Sequence, residues 1–151
     1  MKKDLGLSNS FLGTDHPEML TGYNLKNRDV ESWELSSEDY FCLPVGGISS
    51  NASDLLDFAT LHMNRTLEYL ELTHHLSTTN APEGAINTLE MGLGWWHDIK
   101  YPNTLVHMGN THGHASILIL DKEKKTAVVI LVNVIEYEER DELALDILEN
   151  L

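Results

Sequence analysis

The sequence predicts an α+β fold, and three stretches carry that prediction. Residues 105–132 read as antiparallel strands joined by a charged turn. Residues 46–63 read as a glycine-paired bend feeding an amphipathic helix. The last element, about Glu138 to Asn150, is a second helix with an aliphatic stripe. Together they imply an antiparallel sheet of three to four strands. It packs with the C-terminal helix beside a helical, loop-rich N-terminal half.

In chain order, residues 1–47 are rich in turn signals. Leu5-Gly6-Leu7-Ser8-Asn9-Ser10-Phe11 mixes small polar residues into a weak apolar pattern. Asp15-His16-Pro17 reads as a turn or helix start, and Gly22-Tyr23-Asn24 as another turn. Trp33 is the one large anchor in a polar stretch. Pro44-Val45-Gly46-Gly47-Ile48 is a tight bend, and neither GxxxxGK[ST] nor GxGxxG is present to make it a phosphate cradle. Ser50 or Asn51 then caps a helix, Asp54 faces the exposed first-turn amides, and Leu55, Phe58, Ala59, His62 and Met63 follow at helical spacing. A shorter helix spans Leu67 to about His75 with Leu67, Leu70 and Leu76 inward. Ser77 to Gly84 is a loop.

Met91-Gly92-Leu93-Gly94-Trp95-Trp96-His97 reads as one strand in which glycines admit something large. Tyr101-Pro102-Asn103 turns into a strand opening at Leu105-Val106. Gly109 and Gly113 bracket a polar bend. Ser116 to Leu120 is apolar throughout, Asp121 to Lys125 is a charged turn, and Thr126 to Val132 is rich in β-branched residues. In the closing helix Leu143, Ile147, Leu148 and Leu151 form the buried stripe, with Arg140 and the acids outside.

Ten basic residues stand against 24 acidic ones, a formal charge of −14. Without a basic patch to displace counterions, nucleic acid and anionic membrane are poor partners, and the acidity reads first as solubility. No stretch approaches the ~20 apolar residues of a membrane-spanning helix. Met1-Lys2-Lys3 runs straight into Asp4 and does not read as a signal peptide, so the compartment stays unknown. Cys42 is the single cysteine and forms no internal disulfide. No repeat or linker divides residues 1–151.

These residues resemble a family. Gly46-Gly47-Ile48-Ser49-Ser50-Asn51-Ala52-Ser53-Asp54-Leu55-Leu56-Asp57-Phe58 resembles the "GGL-ST-x-x-DL-x-x-F" segment of serine β-lactamase-like proteins. That family includes class C β-lactamases, penicillin-binding proteins, D-peptidases and esterases. Leu93-Gly94-Trp95-Trp96 is similar to its "GLGW" strand, and His107 to Asn133 to its "KTG-x-T-x-G…PE…LAN" region. Leu5-Gly6-Leu7-Ser8-Asn9-Ser10 resembles "LGM-x-x-T", and Arg140 to Leu151 the closing helix. The shared order covers nearly the whole chain.

The resemblance also defines what is missing. The family's nucleophile and general base come from S-x-x-K, and no serine here has a lysine three residues later. Tyr101-Pro102-Asn103 spells Y-x-N but lies just ahead of His107, where a Pro-Asn turn explains it. The resemblance therefore implies that residues 1–151 are the C-terminal part of one β-lactamase-like domain, inactive alone. A stand-alone binding or assembly module that keeps half the fold is the other reading.

By the same resemblance His107 and the backbone N–H of Asn110 are the catalytic candidates, the latter as oxyanion donor. Gly109 and Thr111 are the substrate-binding ones. His107 stands where most β-lactamases carry lysine, and Met108 replaces a hydroxyl residue, which tilts the substrate toward an ester or peptide. The complete domain would take a small-molecule or peptide substrate without a cofactor. His107, His112 and His114 invite a metal reading, but no companion ligands at standard zinc spacing appear, and no metal is assigned. A half-domain would leave an apolar sheet face open, so homodimerisation or complementation by a partner is expected. The family implies an extracytoplasmic setting.

Overall fold

The computed structural model describes residues 5–14, 16–24, 30–31, 43–64, 68–75, 89–134 and 137–151. In chain order its elements are β1 (Phe11–Leu12), β2 (Gly22–Tyr23), β3 (Val30–Glu31), α1 (Leu43–Gly46), β4 (Ile48–Ser49), α2 (Ala52–Met63) and α3 (Glu68–Leu72). Then come β5 (Leu89–Met91), β6 (Trp96–Asp98), β7 (Thr104–Thr111), β8 (His114–Asp121), β9 (Thr126–Val132) and α4 (Tyr137–Glu149). Leu67, Leu76, Cys42, Trp33 and the 77–84 loop lie outside the described residues.

The sheet is a five-stranded antiparallel meander, β5-β6-β7-β8-β9. It exceeds the expected three to four strands because 91–97 is not one strand. Gly94 takes φ +111° and the Gly92 N–H donates to the Trp95 carbonyl at 2.6 Å, so the chain reverses between β5 and β6. Short flanking pairs complete the fold: β1 with β4, and β2 with β3.

Side chains alternate across the sheet, and each face carries a helix. Leu105, Leu118 and Leu120 pack with Trp95 against Ala59 and Met63 of α2. On the opposite face Val106, Ile117, Ile119 and Val128 pack against Ala144 and Leu148 of α4. The expected open apolar face is thus corrected, because α2 occupies it. The α4 stripe is corrected too, except at Leu148, which is buried as expected. Arg140, Ala144 and Leu148 point inward, while Leu143, Ile147 and Leu151 are exposed.

Asn51 is the N-cap of α2, its side chain accepting from the Asp54 N–H. Asp54 does more than complement the helix dipole. Buried, it accepts from the Asn9 backbone (2.8 Å), the Asn9 side chain (3.1 Å) and the Ser10 hydroxyl (2.8 Å). This pins the N-terminal segment to the helix start. Further along, the Tyr23 N–H donates to the Asn133 carbonyl, and Asn133 Nδ2 to the Thr21 carbonyl. Residues 21–23 are thereby held at the end of β9.

Candidate active site

All four candidate residues lie on β7, the central strand. Its register with β8 runs without a bulge from Thr104↔Asp121 to Thr111↔His114. The turn residues are His112 and Gly113, the latter at φ +74°. A two-residue turn closes on a hydrogen-bonded pair, so Thr111 bonds His114. Beyond the strand's other end the Lys122 N–H donates to the Asn103 carbonyl at 3.0 Å, in the same phase. Antiparallel pairs alternate between bonded and non-bonded. The odd positions 105, 107, 109 and 111 therefore turn their backbone groups to β8. The even positions 106, 108 and 110 turn theirs to the other edge.

Strand β6 occupies that edge only at Leu105 and Val106. Among the described residues no strand pairs with it from His107 to Thr111. The N–H and C=O of Asn110 therefore point into an open edge, where an incoming acyl group has a donor and an acceptor to meet. The Asn110 side chain lies on the α4 face, its Oδ1 accepting from Arg140 Nη1 at 2.7 Å. Asn110 thus offers the edge its backbone. Thr111 is half-buried at the turn.

Gly109 faces the α2 side beside Ser116. A Cβ there would sit 3.1 Å from Ser116 Oγ, so the bare backbone keeps this part of the strand accessible. His107 also faces the α2 side. Its ring is exposed but stands edge-on to buried Trp95, and this partial loss of water lowers its pKa below the ordinary value. His107 is therefore neutral at physiological pH, a donor or acceptor rather than a fixed cation.

Beneath Trp95 lies a histidine pair. His62 packs edge-on to Trp95 at 5.0 Å and its Nδ1 is 2.8 Å from His74 Nε2, one hydrogen lying between them. Burial, then the charge of His74, pushes the His62 pKa down to about 4. The other histidines do not converge. His114 Nε2 donates to the Leu20 carbonyl at 2.9 Å. Among the described residues, no group of three or more His, Cys, Asp or Glu is placed to hold a metal.

Sequence reasoning missed two supports of this strand. Trp95 reads in the sequence only as part of the 91–97 strand, yet its ring stands edge-on to His107 and floors it. Arg140 was placed outside, yet it is buried against the Gly109 carbonyl (3.2 Å) and Asn110. The spacing Arg140, Ala144, Leu148 was the available signal, since i, i+4 and i+8 share one helix face.

The meander flanked by α2 and α4 is a β-lactamase/transpeptidase-like fold. The β-lactamase family model matches residues 3–150, and the chain belongs to that family. Solved structures agree. A D-alanine carboxypeptidase from Burkholderia cenocepacia aligns at TM-score 0.76 and 20% identity, over 97% of this chain and 52% of its own. A D-amino acid amidase from Ochrobactrum anthropi, complexed with D-phenylalanine, aligns at 0.72 and 21%, over 100% and 52%. An octameric penicillin-binding protein homologue from Pyrococcus abyssi aligns at 0.68 and 18%, over 88% and 32%. The chain thus spans a third to a half of the length of these structures. No curated protein matches it in sequence.

Proposed function

We propose that residues 1–151 form the C-terminal part of a β-lactamase-like serine hydrolase that works through an acyl-enzyme. The observation that carries this reading is the open edge of β7, where the Asn110 N–H and C=O point beside Gly109 and His107. In the complete domain a serine from an S-x-x-K segment attacks the substrate carbonyl. The developing oxyanion is met by the Asn110 N–H, and the substrate lies along Gly109 and Thr111. Neutral His107 orients the leaving group or relays its proton. A neutral ring here favours an ester or peptide over a β-lactam held by its carboxylate. The carboxypeptidase and amidase among the similar structures support that range of acyl substrates.

The chain alone lacks the S-x-x-K pair and is expected not to turn over. An immunoblot of the source cells tests this reading. A band at about twice the chain's 17.0 kDa, as the 52% coverage of two relatives implies, supports it. A single band at 17.0 kDa, or acylation of a serine of this chain by an activated ester, overturns it. The second reading is a stand-alone assembly module. The octameric state of the Pyrococcus abyssi homologue favours it, and a defined homo-oligomer of the 17.0 kDa species would establish it.

A further inference from the structure

Arg140 comes from α4, on the face of the sheet opposite His107, and is 3% exposed. Its Nη1 donates to the Gly109 carbonyl at 3.2 Å and to Asn110 Oδ1 at 2.7 Å. Its Nε donates to Asp141 Oδ1 at 2.7 Å, and its Nη2 lies 2.6 Å from the same oxygen. A buried guanidinium needs such a counter-charge, and Asp141 supplies it from the next helix position. Asp141 thus holds one side of the fork, where Nη2 makes an ion pair but no hydrogen bond, while Nη1 is aimed at the tip of β7.

The carbonyl it grips belongs to the peptide unit that ends in the Asn110 N–H. A trans peptide is planar, with C=O and N–H pointing in opposite directions. Holding the Gly109 oxygen toward β8 and α4 therefore fixes the Asn110 N–H toward the open edge. A cation on the oxygen also draws charge along the amide and makes the N–H a stronger donor. We propose that Arg140 is a positioning residue: through the Gly109–Asn110 peptide unit it orients and strengthens the N–H that meets the substrate oxyanion. The inference rests on the oxyanion assignment made above, but its geometry does not.

A merely structural Arg140 would anchor α4 through the Asn110 side chain and leave this peptide unit unpolarised. Isotope-labelled chain separates the two by NMR. In R140Q the Gly109 carbonyl carbon and the Asn110 amide proton are expected to shift upfield together, more than any other pair in β7. R140K, which keeps the charge but not the fork, is expected to restore part of both shifts. Equal shifts along the whole strand, or none at Gly109, would overturn the proposal. Should R140Q not fold, the wild-type chain decides. A through-hydrogen-bond coupling between an Arg140 guanidinium nitrogen and the Gly109 carbonyl carbon supports the grip, and its absence overturns it. None of these signals needs turnover. Failure of the hydrolase reading would show in the native-mass immunoblot and leave these signals intact, so the two failures are told apart.

Discussion

The Trp95 indole stands edge-on to the His107 imidazole, ring centroids 6.1 Å apart and planes at 90°. Trp95 is 4% exposed and is itself held between Phe58 and His62 of α2. The helix that covers the sheet therefore also sets the polarity beneath the candidate catalytic ring. In the NMR titration of the ring protons, His107 is expected to have its midpoint below 6.5, the ordinary value. W95A should move that midpoint back toward the ordinary value. It should also cost about 3–5 kcal/mol of stability, as a truncated core aromatic does. A wild-type midpoint at or above 6.5 would contradict the assigned environment.

His62 gives the protein an acid-side weakness. The unfolded side chain takes up a proton as pH falls through 6.5, whereas the folded one resists until about 4. Between those values the unfolded state binds more protons, so stability falls as pH falls. The contribution is absent at neutral pH and reaches about 3 kcal/mol below the folded pKa. Urea unfolding at pH 7 and at pH 4.5 should show the loss, and H62L should flatten it. An unchanged slope in H62L would assign the acid sensitivity elsewhere.

Asp54 holds Asn9 and Ser10 across more than forty residues of sequence. D54A removes the acceptor of both Asn9 amide donors and of the buried Ser10 hydroxyl, which keeps Ser50 Oγ at 2.8 Å. The expected cost is about 1–3 kcal/mol. It should appear as a lower Tm and as earlier proteolytic cleavage near Ser8. D54N should recover little, because an amide carries one acceptor oxygen where the carboxylate offers two and is uncharged. A Tm unmoved in D54A would show that β1–β4 pairing alone secures the segment.

The hairpin from 114 to 132 was legible because its two apolar runs flank a charged turn, whereas the end of β7 was not: 109–113 reads as a polar bend, but the strand runs on through Thr111 and only His112 and Gly113 turn. The α2 helix was legible because capping and helical spacing agree. The reversal at Gly92–Gly94 was not, since glycines inside an apolar run read equally as close packing or as a turn. In α4 two stripes compete: Leu143, Ile147 and Leu151 against Arg140, Ala144 and Leu148. Hydrophobicity chooses the first, but the structure buries the second. A buried arginine earns its place through partners on β7 and its neighbour Asp141, and the β7 contacts lie about thirty positions away. The edge geometry at Asn110 likewise depends on strand register, which spacing within one strand does not encode.

Gly109 tests the strand most directly. Its missing Cβ would lie 3.1 Å from Ser116 Oγ, its cross-strand partner. The clash is with a small hydroxyl on a short side chain, so G109A must push β8 or rotate Ser116. The expected loss is about 1–3 kcal/mol, the usual cost of overpacking. S116A alone removes only a long contact to the Gly109 carbonyl, 3.5 Å, and should be nearly neutral. In G109A/S116A the hydroxyl is gone and most of the loss should be recovered, a positive coupling in a double-mutant cycle. Additive losses would show that Ser116 Oγ is not the group the added methyl meets. In the complete domain, G109A/S116A would then separate the two uses of this glycine. If stability returns and turnover of an activated ester does not, the added methyl stands in the path of the substrate along β7.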